Sequence, residues 1–163
     1  MERTDHKQQV RHYYDSNTRR FLAHGEGGKE FAIRRSVWAP GIHERREAMQ
    51  YTNRRILEVL EELQAQRVLD LGCGVGGSIR YLAERHQADY LGVTLSPVQA
   101  EIARSVVEHS QSRIETGSFT DEAFWNSLDR RYDLMFSIEA MVHVGETNSV
   151  LSGAARYLRP GGR

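Results

Sequence analysis

The sequence has a single cysteine, Cys73, in 163 residues. That excludes an internal disulfide framework and a zinc site built from cysteines. Prolines number only three, against 14 glycines, and 39% of the residues are hydrophobic. Such a balance excludes collagen-like and disordered chains and fits a globular one. No apolar run approaches the roughly 18 residues of a membrane span. The first residues, Met1-Glu2-Arg3-Thr4-Asp5-His6, hold no apolar secretory core. These absences point to a reducing, cytoplasmic setting without stable membrane insertion. Net charge is also missing, with 22 basic and 22 acidic residues. Bulk charge therefore argues against a nucleic-acid partner.

What is present differs along the chain. Residues 1–66 carry 12 basic and 10 acidic residues in a broken, polar pattern. This section is read as an N-terminal helical cap. One helix is begun around Tyr13–Leu22 and stopped by Gly25-Glu26-Gly27-Gly28. A second runs from about His43 to Leu63, after the Pro40-Gly41 turn. Ile56, Leu60 and Leu63 share its apolar face, with Leu57 alongside, and Arg54 is four residues from Glu58 and placed to pair with it. Residues 67–163 alternate short β-branched runs with helical patterns. That alternation predicts an α/β, Rossmann-like domain with a mostly parallel sheet. The expected strands are Arg67–Leu71, Tyr90–Thr94, Arg113–Thr116 and Asp133–Ile138, about four in all. The expected helices are Gly77–His86, one opened by Ser96-Pro97, and Thr147–Leu158. Val98, Ile102 and Val106 stripe the second of these. Val150, Leu151, Ala154, Ala155 and Leu158 stripe the third. The turn Arg159-Pro160-Gly161-Gly162 should feed a fifth strand, for which no residues remain. The fourth strand, Leu134-Met135-Phe136, is then an unprotected edge, and self-association through it is expected.

The strongest local signal is Asp70-Leu71-Gly72-Cys73-Gly74-Val75-Gly76-Gly77, between a strand and a helix. Gly72, Gly74 and Gly77 satisfy the dinucleotide pattern G-x-G-x-x-G. The flanks argue against NAD(P). Asp70 adds an anion where a pyrophosphate needs backbone N–H groups. At the end of the second strand, where NAD binding wants an acid, stands Thr94. A ligand with an ammonium group and no phosphate suits Asp70 better, and S-adenosylmethionine is such a ligand.

Val68-Leu69-Asp70-Leu71-Gly72-Cys73-Gly74-Val75-Gly76-Gly77 resembles the first motif of class I S-adenosylmethionine-dependent methyltransferases. Leu91-Gly92-Val93-Thr94-Leu95-Ser96-Pro97-Val98-Gln99 resembles a narrower group, the cyclopropane fatty acid synthases, tocopherol methyltransferases and their relatives. Ser137–Gly145 resembles their segment after the fourth strand, and Leu158–Gly162 their turn before the fifth. Tyr14-Asp15 and Ser36–Trp38 look like their N-terminal cap, and the chain looks truncated after the fourth strand. The resemblance implies that Asp70, Gly72 and Gly74 face the methionine end of the cofactor, with Cys73 and Gly76 in the same loop. It implies that Thr94, Leu95 and Gln99 face ribose and adenine. Ser118 and Phe119 would border the adenine, and relatives carry an acid where Ser118 stands. Ile138 or Glu139 would lie near the methyl donor. Cyclopropane synthases carry Phe-Glu-His-Val where this chain has Met141-Val142-His143-Val144. The missing acid favours simple methylation of a small or lipid-like acceptor.

Methyl transfer is a displacement in which the protein chiefly aligns partners and excludes water. A base is needed only if the acceptor loses a proton. His143, Glu139 and Tyr14 are the candidates. The plainer readings are a structural histidine, a cofactor-orienting acid and a packing tyrosine. Cys73 is read as a small residue in a crowded turn, and Trp38 as a cap or core anchor. The Gly25–Gly28 loop lacks the lysine and strand of a phosphate cradle. The pairs Arg19-Arg20, Arg34-Arg35, Arg45-Arg46 and Arg54-Arg55 are read as solvated surface. Three readings stand: a methyltransferase, a cofactor-binding module without catalysis, and an NAD(P) oxidoreductase.

Overall fold

The computed structural model describes residues 2–25, 28–108 and 110–163. Glu26 and Gly27 of the expected loop lie outside the described residues. Four strands form one parallel sheet in the order β3-β2-β1-β4. They are β1 (Arg67–Leu71), β2 (Asp89–Thr94), β3 (Ser112–Thr116) and β4 (Leu134–Phe136). β1 is covered on both faces, so its residues run apolar without alternation. Val68 enters one core, with Ile79, Leu82, Ala100 and Ala103. Leu69 and Leu71 enter the other, with Phe124, Trp125, Tyr132 and Val150.

The first core is closed by α2 (Arg45–Leu63), α3 (Gly77–Ala83) and α4 (Pro97–Val106). Leu60 of α2 is buried there, and Ile56, Leu57 and Leu63 pack against it. α2 thus shares the core of the sheet, while α1 (Glu2–His24) lies against α4. The second core is closed by α5 (Glu122–Ser127) and α6 (Thr147–Tyr157). The sequence reading contained neither α5 nor the single 3-10 turn at Met141–His143. It also began the first helix eleven residues late.

Three packing expectations change. On α4 the face against the sheet is Ala100 and Ala103, with Val107 just beyond, while Val98, Ile102 and Val106 are only half-buried. Alanines let the helix axis approach the strands, and the larger residues flank the contact. On α6, Leu151 is 59% exposed and Ala155 is exposed, while Val150 and Gly153 face inward. A Cβ at Gly153 would lie 2.3 Å from the Trp125 indole. That ring is 1% exposed and stacks on Tyr157 at 6.2 Å, so it has little room to retreat. Gly153→Ala is therefore expected to destabilise the fold by about 1–3 kcal/mol in urea unfolding, against the usual gain from alanine in a helix. On α2, Arg55 rather than Arg54 pairs with Glu58, and Arg54 sits over the Tyr51 ring.

β4 lies at the sheet edge, as expected, but its outer side is not bare. Leu158 bridges Tyr132 in parallel. The Met135 N–H donates to the Arg163 carbonyl at 2.8 Å, and the Arg163 N–H to the Asp133 carbonyl at 3.1 Å. The segment after α6 therefore already occupies the start of this edge. No helix among the described residues is long and apolar enough to cross a membrane.

Candidate active site

The three parallel strands β1, β2 and β4 end on one side of the sheet, where open α/β sheets bind ligands. A cavity of about 850 Å³ opens there. The loop leaving β1 forms its floor. Gly72 has φ +98°, and a Cβ on it would fall 2.2 Å from the Ala140 methyl of the segment after β4. Only glycine lets the two loops pass that closely. Gly74 lines the cavity too. Gly76 does not. It caps α3 at φ +82°, and a Cβ there would press on Ala103 of α4. Its part is helix–helix packing, which corrects its place in the expected cofactor set.

Asp70 lies at the end of β1 and is 3% exposed. Among the described residues no hydrogen-bond donor reaches its carboxylate. Burial pushes its pKa up to about 7, and Arg34 acts in the opposite direction. Arg34 lines the same cavity. Its guanidinium donates to Ser78 Oγ at 2.7 Å and to the Met49 carbonyl at 2.9 Å. Burial lowers its pKa, and Asp70 and Glu139 partly restore it. Arg34 is thus a fixed cation in the site, not the solvated surface residue expected. The only signal in the sequence is that its nearest acid, Glu30, is four residues away. Cys73 packs in the tight turn, with its thiol pushed well up, first by burial and then by Asp70. That suits a filler and not a nucleophile.

The loop after β2 contributes Thr94 and Leu95, and α4 contributes Gln99. The Thr94 hydroxyl donates to Gln99 Oε1 at 2.8 Å, and both residues are buried. Ser96 caps α4 by accepting the Gln99 N–H at 3.1 Å, as its position before Pro97 predicts. Its own hydroxyl donates to Asp15 of α1 at 2.5 Å. Ser118 and Phe119 line the wall after β3. Ser118 is turned to Thr120, 2.7 Å away. Asp121, absent from the expected set, brings a carboxylate to this wall and pairs with Lys7 of α1.

After β4 come Ile138, Glu139 and His143, all lining the cavity. Glu139 has φ +57° and accepts the Arg35 N–H at 3.2 Å. That contact ties one carboxylate oxygen to the 28–44 segment. His143 meets Tyr14 of α1. Tyr14 Oη is 2.9 Å from His143 Nε2, and the rings are edge-on. Burial lowers the His143 pKa, aided by His6. Burial raises that of Tyr14, aided by Tyr13 and Glu139. Trp38 is 58% exposed and anchors neither cap nor core. Among the described residues no group of three metal-ligating side chains occurs.

The chemical capacity follows from this set. A buried carboxylate and a fixed cation line the same cavity, suited to a zwitterion. A hydroxyl and an amide sit beyond them, suited to a polyol. A tyrosine–histidine pair faces the same space and can carry a proton.

Comparison with known proteins agrees. The methyltransferase domain family matches residues 68–162, more than half of the chain. Tocopherol O-methyltransferase of Arabidopsis thaliana is 38% identical over 108 residues, covering 63% of this chain and 30% of the relative. An O-methyltransferase of Pyrenophora dematioidea is 35% identical, covering 69% and 43% respectively. The chain thus spans less than half the length of either relative. The solved structure of geranyl diphosphate methyltransferase superposes with a TM-score of 0.74 over 96% of this chain and 63% of that one, at 19% identity, which is a likeness of fold. Glycine loop, parallel sheet and sequence match together show that the chain belongs to the class I S-adenosylmethionine-dependent methyltransferases.

Proposed function

We propose that the 850 Å³ cavity binds S-adenosylmethionine and that the protein methylates a hydroxyl group of a small or lipid-like molecule. The carrying observation is that a buried Asp70 carboxylate, without a hydrogen-bond donor among the described residues, lines the same cavity as the Arg34 guanidinium that acts on it. An α-amino acid end fits this pair, ammonium to Asp70 and carboxylate to Arg34. Thr94 and Gln99 stand where the ribose hydroxyls would reach them, and Phe119 offers a face to the adenine. Where bound, the cofactor supplies a methyl group on a sulfonium.

The chain's own residues supply alignment and proton movement. Tyr14 Oη takes the acceptor's proton as its own passes to His143 Nε2, 2.9 Å away. Because burial holds the imidazole below its usual pKa, it is neutral and able to accept at pH 7. Names of relatives such as tocopherol O-methyltransferase support oxygen as the acceptor atom. A cytoplasmic setting and self-association along the rest of the β4 edge belong to the same proposal.

Calorimetric titration with S-adenosylhomocysteine, NADH being the comparison, tests the site. Saturable binding of the first alone is expected, with Arg34→Gln weakening it about tenfold through one lost charged hydrogen bond. Binding of NADH in its place would overturn the reading.

A further inference from the structure

A second cavity, of about 460 Å³, opens at the other end of the sheet, where β1, β2 and β3 begin. Arg67 opens β1 opposite Asp89, and Arg113 lies in β3 opposite Leu91. Neighbours in a parallel sheet share a face, and alternate residues return to it. Both arginines therefore project from the face that holds Tyr132. Among the described residues neither guanidinium has an ion-pair partner. Asp89, the acid in the lining, is bound by Arg130 at 3.3 Å, which also holds Asp129 at 3.0 Å. Neither Arg67 nor Arg113 is in a direct pair among the described residues, while the Asp129 carboxylate acts on Arg113, and Asp129 and Glu115 both act on Tyr132.

Tyr132 supplies an independent observation. It lines this cavity, is 1% exposed, and among the described residues its hydroxyl has no hydrogen-bond partner. An unsatisfied buried hydroxyl destabilises the fold, and a ligand acceptor would relieve it. Burial pushes the Tyr132 pKa up to about 12, so the hydroxyl keeps its proton and stays a donor.

We infer that Arg67, Arg113 and Tyr132 form a binding site for a phosphate-bearing anion, remote from the methyl-transfer cavity. Planar guanidinium groups match phosphate oxygens two at a time. A phosphate also accepts readily from a phenol. The cavity volume suits a diphosphate or a small organic phosphate.

Sodium pyrophosphate is the probe, titrated at matched ionic strength into the full chain and followed by calorimetry and thermal melting. Saturable binding is expected, unchanged when S-adenosylhomocysteine fills the other cavity. Arg113→Gln is expected to weaken it at least about tenfold. Tyr132→Phe is expected to weaken it about fivefold while leaving the ligand-free melting temperature equal or higher, since it removes an unpaired hydroxyl. Arg55→Gln, a surface change elsewhere, should leave it unaltered. No saturation by about 10 mM, equal binding by Arg113→Gln, or displacement by S-adenosylhomocysteine would each overturn the assignment.

Discussion

Asp70→Asn is expected to make the ligand-free protein more stable and nearly unable to hold its cofactor. The two effects have one cause. The carboxylate is buried with no hydrogen-bond donor among the described residues, so ionising it in the folded state is costly. Its pKa lies near 7 when folded and near 3.9 when unfolded. Between these values the folded state holds a proton that the unfolded state has released. Stability from this group is therefore full below about pH 4, falls as pH rises, and is lost above about pH 7. Asparagine removes that loss. The variant should match the parent at pH 4 and exceed it at pH 8, by up to about 4 kcal/mol. Affinity for S-adenosylhomocysteine should fall about 10- to 100-fold at pH 8, the size of a charged hydrogen bond. In the parent that affinity should also rise with pH through about 7, as the carboxyl gives up its proton. Urea unfolding and calorimetry across pH 5–8 check both halves. Equal stability with intact affinity would remove Asp70 from the site.

His143→Gln is expected to lower turnover by about 10²–10⁴-fold with little change in cofactor affinity. His143 belongs to the turn after β4, and its polar partner is Tyr14. Losing it removes the proton's destination but not the Asp70–Arg34 pair. Tyr14→Phe should reproduce most of the effect, because the proton path runs through Oη. A double variant no worse than either single one would identify a unit acting together. Methyl transfer to a panel of phenols and alcohols, with S-adenosylhomocysteine binding measured in parallel, separates this from damage to the fold. Full turnover by His143→Gln would return the histidine to a packing role.

How far the sequence could be read depends on how local each cause is. The β1–loop–α3 unit was legible because Val68, Leu69 and Leu71 supply apolar residues to both faces of a short strand and glycines follow at once. The start of α4 was legible because Ser96 and Pro97 act within one turn. Most of the expected site residues meet in one cavity because each sits at a strand end, and strand ends in a parallel sheet converge. Long-range facts were not legible. Arg34 looks like its surface neighbours, and only the approach of Ser78 and Met49 buries it. Gly153 looks like a weak helix residue, and only Trp125 explains it. α1 has no apolar stripe to announce its full length. It is fastened by polar hooks to partners 81 to 129 residues away. α5, six residues long, is too short for a period to show.

Those hooks bear on the order in which the protein is made. Tyr14 leaves the ribosome before its partner His143, which follows 129 residues later. Asp15 waits for Ser96, and Lys7 waits for Asp121. Closing such long loops brings no return until the strands between them have paired. α1 is therefore made before the elements it docks on and seated after them. The Tyr14–His143 contact forms only as that seat is taken, so a nascent chain with an assembled glycine loop still lacks this pair until α1 docks.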